Sequence, residues 1–518
     1  MNFGMISLLN GLKEKFVDET PPVEDANPTN SASMASNALD TAQVGYSSRV
    51  RNATNGLFYR LVYGKWRNRQ MSGSASNCDI SKNSIIWLLG RSYTIEANDK
   101  DAYDEFLVDF RSRIWLSYRH GFSPLANSTE VSDCGWGCML RCAQMMMAQA
   151  IVVQLLGRDW RLSTSSRCAE LEPIIRLFED CEDAPLGVHR LMRIAGNRNR
   201  HSDESTHNAS LHQNLGKNVI NSKTVGKWFS PSEAISLLRN ALHSSSGEDY
   251  PISLSKLKVH LCVDMNVIVD EIVNLSENWH YSVFLVVAVR LGTKHVNKVY
   301  YNQLMSLFSV PQCCGVIGGR PKRAFYFVGC EGNRLYYLDP HTVQKYHSLS
   351  ENRVLENNLS KCIESTEILA ESASVSNHAK KTNEFELTNE SVKPSKVENV
   401  SNKQQKCQNL TKTDRKWMSF HSIKTSSISV VEMEPSCAIG FLLRSRKELN
   451  ACIKDLYMAD VIEYKASTEA PGFGFYTPKS NAGRNPIFTV LENRDLLHSL
   501  NCEEILTSWS EQEGFEVI

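Results

Sequence analysis

One stretch constrains the fold of this chain more than any other: a long apolar segment that begins at a cysteine, directly after a Gly-Trp-Gly turn. From Cys138 to Leu156 the apolar side chains recur at the i, i+3, i+4, i+7 spacing of a packed helix. They stand at positions 139, 142, 143, 146, 147, 150 and 153. Gly157 follows, as is typical of a helix end. The sequence therefore predicts a buried helix with Cys138 as its first residue.

The position of Cys138 also suggests a chemical role. At a helix N-terminus, unpaired backbone N–H groups and the helix dipole favour an anion. The thiolate is the nucleophilic form of cysteine, so Cys138 is a candidate nucleophile. The alternative is a structural cysteine buried against Trp136, which is a common environment for this residue type.

A cysteine nucleophile needs a base, and the base needs a group that orients it. The best candidates are Asp339 and His341, in the segment Leu338-Asp339-Pro340-His341. A strand pattern ends at Leu338, and Pro340 stops a ladder of hydrogen bonds, so both side chains are expected at a strand end beside a turn. The alternative is that Asp339-Pro340-His341 is only an exposed turn. This motif indicates catalysis only when it is considered together with Cys138.

Metal binding is a second interpretation of the same region. Cys134, Cys138 and Cys142 are spaced by four residues, and a polar tract adds three histidines, which are His201, His207 and His212. Zinc sites, however, favour a short pair of ligands on a loop together with a second pair, and no second pair follows. We therefore expect no metal site and no cofactor.

The composition excludes some classes of function. Lys plus Arg and Asp plus Glu both number 57, which argues against bulk nucleic-acid binding, because that function favours a basic excess. No apolar run approaches the ~20 residues of a membrane helix. The N-terminus lacks a basic leader and a small-residue cleavage site. Fifteen scattered cysteines without an export signal point to free thiols in a reducing compartment, so we expect a cytoplasmic protein.

Polar tracts divide the chain into two folded pieces. The predicted boundaries are 1–56 for a disordered N-terminal extension, 57–349 for the first folded piece, 197–214 for a polar insertion within it, 350–414 for a disordered insertion, 415–500 for the second folded piece and 501–518 for a flexible tail. Residues 1–13 fit a short amphipathic helix, which either packs on the main domain or makes transient contact with a membrane surface.

Local patterns predict both helices and strands. Helical spacing occurs over Phe106–Tyr118 and Ser230–Leu242. A continuous apolar run over His280–Val289 indicates a buried strand. Phe325–Gly329 and Arg334–Leu338 flank a short polar turn and are typical of a hairpin.

With both motifs in view, the chain resembles the autophagy-specific cysteine proteases of the papain-like clan. The likeness extends from about residue 57 to 465 and includes, besides the two motifs, the segments Ser112–Arg119, Leu156–Trp160, Gly226–Trp228, Gly315–Pro321 and Pro435–Phe441. In its layout the chain resembles the longer C/D-type branch of that family. The resemblance implies an α+β, papain-like fold, with a central helix that carries the nucleophile on an antiparallel or mixed sheet and a small inserted subdomain.

The resemblance also implies roles for individual residues. Cys138 would be the nucleophile, His341 the general base and acid, and Asp339 the residue that orients the imidazole. Tyr118 would stabilise the oxyanion. The residues implied to cover the site and move aside for substrate are Trp228, Gly318, Gly319 and Pro321.

The substrate class follows from the same resemblance. The family acts on a ubiquitin-like autophagy modifier of the LC/GABARAP type, whose tail it cuts after a glycine, and on the amide that joins this modifier to phosphatidylethanolamine. A weakly active, protease-like binding module for the same modifier is the alternative. Phe515-Glu516-Val517-Ile518 resembles an aromatic-x-x-aliphatic motif that docks on the modifier as an added strand, with Phe515 and Ile518 as anchors.

Overall fold

The computed structural model describes most of the two folded pieces. The described residues are 84–96, 100–125, 128–162, 170–204, 225–244, 252–320, 323–349, 419–466 and 485–499. The predicted extension over 1–56, the insertion over 350–414, the tail over 501–518 and Pro321 all lie outside these ranges, and the domain boundaries stay predictions.

Most of the described strands belong to one mixed sheet. All described strands, in chain order, are β1 (Ser84–Leu88), β2 (Arg91–Ile95), β3 (Arg119–His120), β4 (Leu257–Cys262), β5 (Asn266–Ile268), β6 (Ser282–Arg290), β7 (Cys313–Arg320), β8 (Arg323–Glu331), β9 (Arg334–Leu338), β10 (Gln344–Lys345), β11 (Ser426–Ser429), β12 (Ser436–Leu443), β13 (Ile462–Lys465) and β14 (Phe488–Leu491). The main sheet has the order β11-β9-β8-β7-β12-β6-β4, and β1 joins β8 and carries β2 at its other side. Only β4 and β6 pair in parallel within it.

Both faces of the main sheet are buried, which explains its continuous apolar strands. In β6, Phe284 and Val286 enter one hydrophobic cluster, whereas Val283, Leu285 and Val287 enter the other. Side chains alternate between the two faces of a strand, so an uninterrupted apolar run is what a strand with two covered faces requires.

Helices cover the two faces. They are α1 (Lys100–Arg111), α2 (Cys138–Leu156), α3 (Glu172–Arg176), α4 (Val188–Glu204), α5 (Pro231–His243), α6 (Ile252–Ser255), α7 (Val269–Ser276), α8 (Tyr301–Ser306), α9 (Arg446–Met458) and α10 (Asp495–Ser499). The predicted bounds of α2 are confirmed, and Gly157 ends the helix by donating its N–H to the carbonyl of Val153 at 3.2 Å. The architecture is therefore the predicted α+β arrangement with a central helix on a mixed sheet.

Helix α2 packs against β7, β8 and β12 in the middle of the fold. Among the described residues, α2 is the one helix that is long and apolar enough to span a membrane, with a mean hydropathy of 1.4. However, 78% of its most apolar segment is buried inside the protein. The sequence analysis found no apolar run of this length because Arg141 and Gln144 interrupt the apolar residues of α2. Its hydrophobicity is that of a core helix.

The close approach of α2 to the sheet depends on Gly440 in β12. A Cβ atom at this position would lie 3.0 Å from the Sδ atom of Met146 and 3.0 Å from the ring of Phe284. We expect Gly440→Ala to lower the free energy of unfolding by about 1–3 kcal/mol, because extra volume in a packed core forces neighbours out of place. Urea denaturation measures this, and a change below about 0.5 kcal/mol would show that the interface can yield.

The prediction of a helix over Phe106–Tyr118 is wrong at both ends. Helix α1 starts before that range and ends well short of Tyr118. Beyond its end, the backbone N–H of Trp115 donates to the carbonyl of Phe420 at 2.8 Å, and that of Tyr118 donates to the carbonyl of Pro340 at 2.8 Å. Backbone partners from distant segments thus replace the helical ones, which periodicity within a short window does not reveal.

The other local predictions agree with the structure to within a few residues. Ser230 caps α5, since its side chain accepts a hydrogen bond from the backbone of Glu233, whose carboxylate accepts one from the backbone of Ser230 in return. The run predicted as a strand over His280–Val289 forms β6, and the predicted hairpin forms β8 and β9.

Two further features are a separate small sheet and the start of the predicted polar insertion. Strands β13, β14 and β5 form a separate, parallel three-stranded sheet apart from the main one. The polar insertion predicted over 197–214 begins inside α4, which continues to Glu204, and its residues 205–214 lie outside the described residues.

Candidate active site

Two glycines and a buried aspartate shape the turn that precedes α2. Gly135 has a φ of +87°, in the left-handed region that favours glycine. The N–H of Gly137 donates to the carbonyl of Asp133 at 2.8 Å. Gly137 is also the N-cap of α2 and supplies no side-chain acceptor, so the dipole and the first N–H groups of the helix favour negative charge at Cys138.

A chain of buried ion pairs fastens this turn to its surroundings. Nε of Arg141 lies 2.7 Å from Oδ2 of Asp133, and Nη2 of the same guanidinium lies 2.9 Å from Oδ1 of Asp180. Oδ1 of Asp133 accepts the backbone N–H of Arg119 at 2.7 Å. The sequence analysis assigned no role to Asp133 or Arg141, although both belong to the nucleophile motif, because a charge in a motif does not reveal that it is buried.

Asp339 and His341 lie together just beyond the end of β9. Oδ1 of Asp339 accepts a hydrogen bond from Nδ1 of His341 at 2.6 Å and another from the backbone N–H of His341 at 3.0 Å. Because Nδ1 is engaged in this way, Nε2 is the ring nitrogen that can face the sulfur of Cys138. The predicted pair thus adopts the orientation that a base and its orienting carboxylate require.

The imidazole of His341, the hydroxyl of Tyr118 and the backbone of Ala324 are the groups that act on the thiol of Cys138. Burial alone would raise the pKa of the Cys138 thiol, but these donors and the charge of His341 lower it. Burial would lower the pKa of His341, whereas Asp339 and Cys138 raise it to about 10. Both shifts act in the same direction and favour a thiolate–imidazolium pair over the neutral thiol and imidazole.

Two aromatic rings hold the imidazole in place. The ring of Tyr118 lies edge-on to His341 with centroids 5.5 Å apart, and the ring of Phe325 does so at 5.6 Å. Burial, followed by the neighbouring Cys138, raises the pKa of Tyr118 well above its usual value. Tyr118 therefore stays protonated and remains a hydrogen-bond donor beside the sulfur.

The loop that carries Tyr118 is tied directly to the loop that carries the histidine. The N–H of Tyr118 donates to the carbonyl of Pro340 at 2.8 Å, and its carbonyl accepts the N–H of Gln344 at 2.9 Å. Nε1 of Trp115 donates to the carbonyl of Asp339 at 2.7 Å. Trp115 is thus a neighbour of the site that sequence reasoning missed, and its inclusion in the segment Ser112–Arg119 was the available signal.

The predicted covering segment lies mostly in a β-ladder. Gly318 pairs with Phe325 and Gly319 pairs with Ala324, so both glycines belong to β7. The backbone of Ala324, opposite Gly319, is one of the groups that lower the pKa of the Cys138 thiol. Pro321 lies outside the described residues. A covering role for this hairpin stays a prediction, but the influence of Ala324 on the thiol places its backbone near Cys138.

Trp228, the other predicted cover, is half-buried in the loop before α5 and packs against the hydrophobic cluster that contains Cys138. Cys138 itself is 0% exposed and His341 is 5% exposed. The site is therefore closed, and a substrate reaches the sulfur only after part of its surroundings has moved.

The neighbouring thiols differ from Cys138 in their electrostatics. Burial raises the pKa of Cys134, and Asp133 adds to that effect. Burial also raises the pKa of Cys142 well above its usual value. Among the residues described, no group of three or more His, Cys, Asp or Glu side chains is arranged to hold a metal ion. His207 and His212 from the metal hypothesis lie outside those residues.

Similarity to known proteins agrees with this chemistry. Residues 103–455 match the peptidase C54 catalytic domain. The cysteine protease atg-4.2 of Caenorhabditis elegans is 27% identical over 494 residues, which cover 91% of this chain and 78% of that protein.

Vertebrate relatives match a shorter part of the chain. The cysteine protease ATG4A of Gallus gallus is 30% identical over 309 residues, covering 54% of this chain and 72% of the relative. The cysteine protease ATG4D of Xenopus laevis is 32% identical over 324 residues, covering 55% and 66%. The matched domain spans more than half of the chain and contains Cys138, Asp339 and His341. The chain therefore belongs to the peptidase C54 family and is a cysteine-type peptidase of the ATG4 group.

Proposed function

We propose that the protein cuts the C-terminal tail of a ubiquitin-like autophagy modifier after a glycine and hydrolyses the amide between that modifier and phosphatidylethanolamine. The observation that carries the proposal is the pairing of Cys138 with His341 and Asp339 in a closed site. Membership of the C54 family supports the choice of a modifier from autophagy as the substrate.

The proposed reaction begins with attack of the Cys138 thiolate on the carbonyl carbon of the glycine. Negative charge moves to the carbonyl oxygen, where the Cys138 N–H and the Tyr118 hydroxyl would stabilise it. His341 then gives its proton to the leaving amine, so the amide bond breaks and a thioester remains. The imidazole takes a proton from an incoming water, whose oxygen attacks the thioester and releases the carboxylate and the thiolate.

One site can serve both substrates because both contain an amide of the same glycine. In the precursor, the leaving amine is a peptide nitrogen, and in the lipid conjugate it is the ethanolamine nitrogen. The chemistry at the sulfur is identical, so the difference lies in what must fit on the leaving-group side. The enclosure of Cys138 favours a residue without a side chain next to the cut, which glycine supplies.

Parts of the fold outside the reacting groups are proposed to control access. Trp228 and the hairpin with Gly318, Gly319 and Pro321 would move aside as the modifier tail enters. The tail anchors Phe515 and Ile518 would recruit the modifier by strand addition. A membrane surface is the expected location of the lipid conjugate, and transient contact of the protein with that surface is part of this proposal.

We also propose that the protein works in the cytoplasm. Each of the ten described cysteines is unpaired, namely Cys134, Cys138, Cys142, Cys181, Cys262, Cys313, Cys314, Cys330, Cys437 and Cys452. Free thiols are typical of a reducing compartment such as the cytoplasm. In that compartment the protein would also meet the modifier and its lipid conjugate.

Incubation of the full chain with a panel of tail-extended modifiers, followed by intact-mass analysis, tests the proposal. We expect loss of the mass of the residues beyond the glycine, because only the amide of that glycine fits beside the sulfur. The same modifiers coupled to phosphatidylethanolamine in vesicles should regain the mass of the free protein.

Two results would contradict the proposal. Cleavage at another position would overturn the glycine specificity. A tight complex with the modifier and no product after hours would favour the weakly active binding module. The Cys138→Ser variant is the matched control for both substrates, since it keeps the site closed and removes the thiolate.

A further inference from the structure

Asp133 fixes the backbone on both sides of the reacting sulfur, through its carboxylate on one side and its backbone carbonyl on the other. Oδ1 of Asp133 accepts the N–H of Arg119 at 2.7 Å, and the N–H of Asp133 donates back to the carbonyl of Arg119 at 3.3 Å. The carbonyl of Asp133 accepts the N–H of Gly137 at 2.8 Å. Arg119 directly follows Tyr118, and Gly137 directly precedes Cys138. Asp133 therefore links the two peptide segments that supply the hydroxyl and the N–H group beside the sulfur.

The glycine at 137 reflects how tightly this carboxylate is packed. A Cβ atom there would lie 2.6 Å from Oδ2 of Asp133 and 2.7 Å from its Cβ atom. The φ of −79° at Gly137 is open to any residue, so the need for glycine comes from this contact and not from the backbone angle. The turn at Gly137 therefore packs directly against the side chain of Asp133.

The charge of Asp133 is held by a residue of α2 itself. Arg141 binds Asp133 at 2.7 Å and Asp180 at 2.9 Å, and all three side chains are at least nine-tenths buried. Arg141 lies one turn along the helix from Cys138, and its N–H donates to the carbonyl of Gly137 at 3.0 Å. A buried carboxylate that is paired on one side and bound to backbone on the other is a rigid support.

We propose that Asp133 is a positioning residue for the oxyanion site, which it builds by holding the Tyr118 hydroxyl at a fixed place relative to the N–H of Cys138. The inference rests on the proposed role of Tyr118 in catalysis. Asp133 acts through the two donors, whose placement must match the oxygen as charge develops on it.

A double-mutant cycle with Asp133→Asn and Tyr118→Phe tests the inference in the tail-cleavage assay. We expect Asp133→Asn to lower kcat about 30-fold and to change KM by less than about twofold. Arg119 and Arg141 donate to different oxygens of Asp133, and asparagine keeps only one of these oxygens, so the segment that carries the Tyr118 hydroxyl is held less firmly. In the Tyr118→Phe background the same change should lower kcat less than about fivefold, since one of the donors it places is already gone.

The reactivity of the sulfur gives a second measurement that needs no modifier. The rate at which iodoacetamide alkylates Cys138 as a function of pH reports the thiolate. We expect Asp133→Asn to shift the pH dependence of this rate only slightly, because His341, which lowers the pKa of the thiol most, stays in place with Asp339. A merely structural role would lower the alkylation rate and kcat together.

Asp109 supplies the matched control. It is a buried carboxylate bound by arginines as Asp133 is, with distances of 2.9 Å to Arg113, 2.8 Å to Arg158 and 3.1 Å to Arg161. We expect Asp109→Asn to lower the urea midpoint about as much as Asp133→Asn does and to leave kcat within about twofold of the parent value.

Each outcome decides something specific. A wild-type kcat in folded Asp133→Asn, or fully additive effects in the cycle, would overturn the inference while leaving the proposed function intact. A wild-type kcat in Tyr118→Phe would instead remove the proposed oxyanion role. If Asp133→Asn does not fold, Gly137→Ala decides, because its methyl group displaces the same carboxylate. It should lower kcat with alkylation retained, and an unchanged kcat would overturn the inference.

Discussion

Cys138→Ser is expected to lower kcat/KM for tail cleavage by about 10⁴-fold or more. The serine hydroxyl fits the same space but does not ionise beside His341, so the nucleophile is lost while the surrounding contacts remain. Intact-mass analysis of the tail-extended modifier measures the effect. Alkylation by iodoacetamide at neutral pH should lose its fast phase in the same variant, because that phase belongs to the lowered pKa of Cys138.

Cys134→Ser is the matched control for this substitution. Cys134 lies in the turn before α2 and is buried, but burial and Asp133 raise the pKa of its thiol, so it carries no thiolate at neutral pH. We expect cleavage and the fast alkylation to persist within about threefold of the parent rate. Full cleavage by Cys138→Ser, or loss of cleavage only in Cys134→Ser, would place the nucleophile elsewhere.

Replacement of Asp339 is expected to have the second largest effect, and a pair of variants separates its two contributions. Asp339→Ala removes both the charge and the acceptor for Nδ1 of His341, so we expect kcat/KM to fall about 10³-fold. Asp339→Asn keeps an oxygen that can accept from Nδ1, as the asparagine of a Cys-His-Asn site does, and removes only the charge, so the loss should be smaller than in Asp339→Ala.

The pH profile of Asp339→Asn shows the effect of the charge. In the parent protein Asp339 and Cys138 raise the pKa of His341 to about 10, so the imidazolium persists until the pH rises through that value. Without the charge of Asp339 this pKa falls, and the alkaline limb of the kcat/KM profile moves to lower pH. A less stable imidazolium also stabilises the thiolate less, so the acidic limb moves to higher pH.

The bell-shaped profile should therefore become narrower from both sides, which initial rates of cleavage across the pH range measure. A profile with the parent width and only a reduced height would show that Asp339 orients the imidazole without influencing its charge. Asp109→Asn, which removes a buried carboxylate outside the site, should leave the width unchanged.

Features encoded over short stretches of sequence could be predicted well. The apolar spacing after Gly137 gave the bounds of α2, and the apolar run of β6 follows from a strand with both faces covered. The two motifs also identified Cys138 and His341 as candidates, and the structure brings these residues together. In each case one local pattern corresponds to one element or one turn.

Features that depend on distant partners could not be predicted in this way. The end of α1 is set by backbone hydrogen bonds that Trp115 and Tyr118 make with segments far along the chain. The ion pairs of Arg141 with Asp133 and Asp180 depend on which charges become buried together. The periodicity of the sequence does not reveal which residues become partners, because the packing of the whole domain determines it.

The edge-on contacts of His341 with Tyr118 and Phe325, together with the hydrogen bond of Nδ1 to Asp339, hold the imidazole in one orientation before substrate binds. A ring that is already oriented before substrate binds loses little rotational entropy on binding, and it transfers its proton in one fixed direction. The position of Nε2 is therefore set by the protein, and the substrate must bind so that its leaving nitrogen lies next to that atom.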